Sequence, residues 1–134
     1  MNKNIFKSMK NKKCSVEKDN NLVYILKVQL ATGQVLYKIG VSKEKRHMDR
    51  MMEVLKDFFV KYRYIPFTSM KRFRVFPDAY EVERLLHKKY NDCNHTFDKK
   101  FCGSTEFFDI PDEAELTKEY DKMHENKESH VKGV

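Results

Sequence analysis

LVYILKVQLATGQVLYKIGV, residues 22–41, is the stretch whose reading decides the fold. Leu22 to Leu30 is rich in Val, Tyr, Ile and Leu, and so is Gln34 to Val41. Ala31-Thr32-Gly33 separates the two runs and supplies a turn glycine. Two β-prone runs around such a spacer predict a β-hairpin, though not one of the tight two-residue kind.

Outward from the hairpin, Lys43 to about Lys56 carries Met48, Met51, Met52 and Leu55 at helical spacing, with Ser42 as its cap. Phe58 to Phe67 alternates and is β-prone, and Phe73-Arg74-Val75-Phe76 extends that sheet as a further short strand. Pro77-Asp78 ends the extended stretch. Asp78 and Glu81 form a capping box, so a helix starts there and runs to about Tyr90. Asn91 to Lys100 reads as a polar loop, Thr105 to Ile110 as a short strand, and Pro111-Asp112-Glu113 as the start of a last helix reaching about His124. The order ββα, one or two β, α, β, α predicts an α+β fold: a small, mainly antiparallel sheet of three or four strands flanked by helices. Composition divides the chain into a flexible basic arm (1–20), a folded domain (21–124) and a disordered polar tail (125–134).

At 134 residues the chain can bury one modest core, and 40% hydrophobic with 13% aromatic residues excludes a wholly disordered chain. Lys and Arg number 27 against 20 Asp and Glu, a net charge of +7. That balance favours a polyanionic partner, nucleic acid first and an anionic membrane surface second. Cys14, Cys93 and Cys102 are odd in number and irregularly spaced, which argues against a disulfide framework and for a reducing, cytoplasmic setting. No apolar run approaches the ~18 residues needed to span a bilayer, and the start lacks the apolar core of a signal peptide, so no membrane association is expected.

Phosphodiester hydrolysis requires a water to lose a proton, charge on the phosphoryl oxygens to be neutralised, and the leaving oxygen to be stabilised, often by a metal. Tyrosine can act as base or relay, arginine can clamp phosphate, and one carboxylate can hold Mg²⁺ or Mn²⁺ that keeps several waters. Tyr24 lies on the first strand, with Tyr37 and Lys38 adjacent on the second. Strand neighbours face opposite sides, so only one of Tyr37 and Lys38 can point at a site with Tyr24. Gly40 permits close backbone approach. Arg46 and Arg50 fall on the first helix; Glu83 and His87, four apart, share a face of the second. Each also has an ordinary reading: Tyr24 as a packing residue, the charged groups as solvated faces, Glu106 as a strand-edge residue. Lys61, Arg63, Arg72 and Arg74, interleaved with aromatics, are candidate phosphate contacts whose neighbouring rings could stack on exposed bases. Cys93, His95 and Cys102, with His87 upstream, form a weak zinc pattern without a CxxC pair.

The ordered pieces Leu22-Val23-Tyr24 and Tyr37-Lys38-Ile39-Gly40 resemble the first two motifs of the GIY-YIG nuclease superfamily, and in particular a small phage and bacterial branch with Tyr-Lys-Ile-Gly as second motif. Ala79, Glu83, Leu86 and His87 match that branch's Ala-x-x-x-Glu-x-x-Leu-His, and Gly103, Glu106, Phe107 and Phe108 match its closing Gly-x-x-Glu-(Phe/Trp)-Phe. The likeness spans residues 22 to 110. It implies a metal-dependent endonuclease that hydrolyses DNA phosphodiester bonds with one Mg²⁺ or Mn²⁺. By the resemblance, Tyr24 orients or deprotonates water, Glu83 binds the metal, and Arg50, with Arg46 as rival, is the helix arginine. His87 binds phosphate or metal or serves the fold, and Gly40 and Glu106 contact the site. The first motif lacks its glycine, and the second carries Lys38 where the family name has tyrosine. Either Lys38 replaces that tyrosine, as alignment favours, or Tyr37 reaches in from a shifted register. The alternative functions are a catalytically inactive nucleic-acid-binding module and a phage effector on the same scaffold, and the oligomeric state stays open.

Overall fold

The computed structural model describes residues 20–133, with side chains through Met123. The expected basic arm therefore lies, Asn20 aside, outside the described residues. The elements are β1 (Asn21–Gln29), β2 (Val35–Lys43), α1 (His47–Tyr62), β3 (Phe67–Val75), α2 (Ala79–Lys89), β4 (Phe107–Phe108) and α3 (Glu113–Gly133). Single 3-10 turns occupy Glu44–Arg46, Asn91–Cys93 and Ser104–Glu106. The four strands form one antiparallel sheet in the order β3-β1-β2-β4. This is the expected α+β class, with the fourth strand present.

The hairpin register sets Tyr24 opposite Gly40 and Leu26 opposite Lys38. Strand alternation then sends the hairpin's side chains into two cores. On one face Leu22, Tyr24 and Leu26 pack with Met51, and Val28 and Leu36 with Val54 and Phe58, all covered by α1. On the other, Val23, Ile25, Tyr37 and Ile39 meet Val82 and Leu86 of α2 and Leu116 and Tyr120 of α3. The result is three layers, α1 over the sheet over α2 with α3. Coverage on both sides explains why residues 22–26 are continuously apolar rather than alternating. The Tyr120 hydroxyl donates to the Val23 carbonyl at 2.6 Å and ties α3 to the central strand.

Several expectations are corrected. Residues 58–62 are helical, not β: α1 continues to Tyr62. Met51, Val54, Phe58 and Tyr62 recur at intervals of three and four, and burying that stripe against the sheet outweighs the local β preference. Arg63 closes the helix in the left-handed region, φ 66°, its N–H donating to the Phe59 carbonyl at 2.7 Å. β3 is correspondingly longer than the short strand expected near Phe73. Ser42 lies within β2 and does not cap α1, which a 3-10 turn precedes. α2 begins where Asp78 predicted, yet Asp78 makes no side-chain capping bond, and Glu81 instead pairs with Arg84 at 2.6 Å. The strand expected at Thr105–Ile110 shrinks to Phe107–Phe108 because a 3-10 turn takes Ser104–Glu106. α3 is assigned to Gly133 rather than ending near His124; neither glycine nor proline interrupts it before Gly133.

Candidate active site at the open edge of the hairpin

β4 pairs only with Tyr37 and Lys38, so among the described residues β2 from Ile39 onward has no strand on its outer side. Backbone groups left there need partners. Two side chains of α2 supply them. His87 Nε2 donates to the Ile39 carbonyl at 2.8 Å, and the Val41 N–H donates to the Glu83 carboxylate. Glu83 and His87 lie 3.9 Å apart, as their four-residue spacing on one helix face requires. Of the roles open to His87, the fold-serving hydrogen bond is the one observed.

Tyr24 and Lys38 project from the α1 side of the same edge. The Tyr24 ring crosses directly over Gly40: a Cβ there would sit 2.7 Å from both its Cζ and its hydroxyl oxygen. Only glycine leaves room for the phenol. Lys38 is the only charged residue fully buried among the described residues. Burying an ammonium costs several kcal/mol unless it is paired, by about the margin known for isolated interior ions. Here Glu106 forms an ion pair with it and the Tyr24 hydroxyl accepts a hydrogen bond from it. The ammonium also lies 5.5 Å from the Tyr24 ring centre and 5.8 Å from that of Phe107. Gly103, at φ 79°, makes the space: a Cβ on it would approach Lys38 Nζ to 3.0 Å. The Gly103-x-x-Glu106 spacing thus delivers both the room and the counter-charge for one buried lysine.

Arg50 reaches the group from α1. Its guanidinium pairs with Glu53 at 3.2 Å and acts on Tyr24 through its charge. Arg46 pairs with the same Glu53 at 3.0 Å from a more exposed position. The structure therefore gathers Tyr24, Lys38, Gly40, Arg50, Glu83, His87 and Glu106, with Arg46 at the rim.

Electrostatics set the protonation states. Burial pushes the Tyr24 phenol above its ordinary value, and the nearby Lys38 ammonium pulls against it. Burial also raises Glu83, reinforced by the charge of Glu106, while His87, Lys38 and the Val41 N–H oppose. Glu106 is already committed to Lys38, so Glu83 is the carboxylate whose charge is least compensated. A hard divalent cation that takes one protein carboxylate and completes its shell with water and phosphate suits Glu83. A centre needing three or more protein ligands does not, since no such group occurs among the described residues.

Other candidates lie elsewhere. Tyr37 faces the opposite core; its hydroxyl donates to Glu113 at 2.9 Å, and burial followed by that contact raises it to about 12. The β1–β2 register runs unbroken, so the alternative of a shifted strand is corrected in favour of Lys38. Lys61 sits on the last turn of α1, eleven residues and roughly 16 Å of helix beyond Arg50. Arg63 is the cap of that helix. Arg72 and Arg74 are on the face of β3 away from Tyr24, 3.6 and 3.5 Å from Asp121 of α3. The four candidate phosphate contacts therefore do not form one strip, because half of the expected strand is helix. Cys93 and Cys102 border different cores, which removes the zinc pattern. Glu53 went unnoticed in the sequence, as did the stacking of His47 on Phe73. Spacing on α1 could have suggested Glu53, but Phe73 becomes Tyr24's neighbour only through the β1–β3 register.

A two-faced antiparallel sheet that collects a phenol, a buried lysine, an arginine and a helical carboxylate at a hairpin edge defines a GIY-YIG-like, nuclease-type domain. Comparison by sequence agrees. The chain belongs to the T5orf172 domain family, which matches residues 21–124, a phage-related class of nuclease-like or DNA-interacting domains. No curated protein and no solved structure matches the chain. Among the described residues no helix is long and apolar enough to cross a membrane.

Proposed function

We propose that this chain is a metal-dependent endonuclease of the GIY-YIG type, hydrolysing phosphodiester bonds in DNA with a single Mg²⁺ or Mn²⁺. The observation that carries this is the convergence of Tyr24, Lys38, Arg50 and Glu83, from four separate elements, at one edge. Glu83 would hold the ion, which when bound supplies charge neutralisation at the phosphoryl and leaving oxygens. Tyr24 is a neutral phenol in the free protein. Its oxygen accepts from Lys38, which leaves its own O–H to orient a water against the phosphate. Lys38 is fully enclosed and donates to the Tyr24 hydroxyl, and it acts through Tyr24, stabilising negative charge as the phenol's proton is drawn away. Arg50, 39% exposed at the rim, is placed to take a phosphate oxygen with its planar fork. His87 fixes the helix edge that presents Glu83.

The test is nicking of supercoiled plasmid with Mg²⁺ or Mn²⁺ by the parent chain and by Glu83→Ala. Cutting by the parent and none by a folded Glu83→Ala supports the site. Equal cutting by both refutes it. A second reading, a nucleic-acid-binding module that does not cut, draws on one observation: the Lys38 charge is consumed by Glu106. It predicts salt-sensitive DNA binding with no nicking by the parent chain.

A further inference from the structure

Phe73 is the residue directly paired with Tyr24 across β1 and β3. Paired residues on an antiparallel sheet place their Cβ atoms on the same face, about 4.5–5.5 Å apart. Phe73 nevertheless stays 54% exposed. The His47 ring from the first turn of α1 stacks on it at 5.2 Å and 12°. That histidine is itself fixed, because its Nδ1–H donates to the Glu44 carbonyl at 2.8 Å. In the cores, Phe58–Phe101 and Phe76–Tyr120 meet edge-on at 85° and 88°, while Phe58–Tyr62 stacks at 24°. The surface pair presents a flat π face. Arg50, one turn along the same side of α1 as His47, acts on Tyr24 through its charge. Lys43 and Arg46, both exposed, flank His47 in the chain, and Arg46 is ion-paired with Glu53.

We infer that the His47–Phe73 pair is a stacking platform for one unpaired nucleobase next to the phosphate held at Arg50, so that the preferred substrate is DNA with an unpaired or single-stranded nucleotide at the cut. This rests on the DNA-cleaving reading of the site, and it adds the substrate class. Every base has a π face, so such a platform selects strand state rather than sequence. A fully paired duplex offers it nothing, because its bases are already stacked.

The experiment measures binding by the Glu83→Gln chain, so that no probe is consumed. The probes are a single-stranded oligonucleotide and a duplex with one unpaired 2-aminopurine, beside a fully paired duplex. We expect 2-aminopurine fluorescence to be quenched on binding, and Phe73→Ala to abolish the quenching. We expect Phe73→Ala to weaken both unpaired probes about tenfold, ~1.4 kcal/mol at 25 °C. The paired duplex and the dependence on salt should be unchanged, and Phe73→Trp should restore both signals. Arg50→Ala should instead lower the salt dependence on all probes. Half-exposed Phe73 can be truncated without leaving a cavity, and a melting curve verifies that. Equal binding by Phe73→Ala and parent, equal loss on all three probes, or no binding to any of them overturns the platform. A parent that never nicks plasmid while Phe73-dependent quenching persists upholds the platform and refutes the cleavage reading alone.

Discussion

Replacing Gly40 by alanine should damage stability and cleavage together, and the structure sets both magnitudes. The added Cβ would lie 2.7 Å from the Tyr24 Cζ and hydroxyl oxygen, where ordinary contact begins near 3.4 Å. The ring must therefore retreat by about 0.7 Å at least. It has nowhere to go, being 1% exposed and packed with Leu22, Leu26 and Met51. Overpacking of this kind costs about 1–3 kcal/mol. In a domain of this size each kcal/mol lowers Tm by roughly 4–8 °C. A hydroxyl displaced by nearly 1 Å from a catalytic position can lose about 10²-fold in rate. Thermal melting and single-turnover nicking read the two effects. The deciding comparison is a double-mutant cycle with Tyr24→Leu, which removes the ring that clashes. In that background Gly40→Ala should add almost nothing to stability, giving a coupling about as large as its cost alone. If Gly40→Ala melts and cuts like the parent, or destabilises equally with and without the ring, the explanation of this glycine is wrong.

Lys38→Met should leave stability unchanged or raise it by about 1 kcal/mol, since an apolar chain of similar length replaces a buried ammonium and Glu106 can turn to water; cleavage should nevertheless fall by about 10²-fold with the charge beside Tyr24. Urea unfolding and nicking check the two arms. Glu83 has a raised pKa in the fold, so the native state holds its proton more tightly than the unfolded state does, and stability declines as pH rises through the folded value. Glu83→Gln removes that decline. It should melt at or above the parent at neutral pH, with the difference vanishing below about pH 4.5, where both states of the parent are protonated. A neutral-pH Tm clearly below the parent's would contradict the strained carboxylate. Arg63→Gly should stabilise by about 0.5–1 kcal/mol, because φ 66° suits glycine, as denaturant midpoints will show.

Much of this is legible in the sequence. The Val, Ile, Leu and Tyr content of residues 22–41 specified a hairpin, and the order of motifs foretold that Tyr24, an arginine of the first helix and Glu83 would meet. Residues 58–67 misled because Phe, Val and Tyr there satisfy period two and period 3.6 equally well over so short a window. Only the distant pairing of Phe67–Val75 with β1 decides between them. The facing of Arg72 and Arg74 was invisible for a related reason, since it depends on Asp121, almost fifty residues further on. For Lys38 and Tyr37, strand alternation said that they must part, yet could not say which core each would enter. That Lys38 is sealed from solvent follows from Gly103 and Glu106 closing over it, a contact across more than sixty residues.

The brevity of β4 is what joins the fold to the site. A β4 two or three residues longer would pair Ile39 and Val41 with backbone, and the sheet edge would be satisfied without help from α2. Glu83 and His87 would then lose the partners that seat them, and the carboxylate would have no reason to lie beside Tyr24. Because the strand begins only at Phe107, after the 3-10 turn at Ser104–Glu106, the edge recruits a glutamate and a histidine from a helix that packs mainly on the opposite face of the sheet. Those side chains bridge the two faces at the place where Tyr24 and Lys38 emerge from the first. The same arrangement keeps Glu83 half-shielded and close to Glu106, which leaves its charge poorly compensated within the protein. A group held in that condition by the fold's own hydrogen-bond requirements is, among the described residues of this edge, the carboxylate on which the proposed cation would rest.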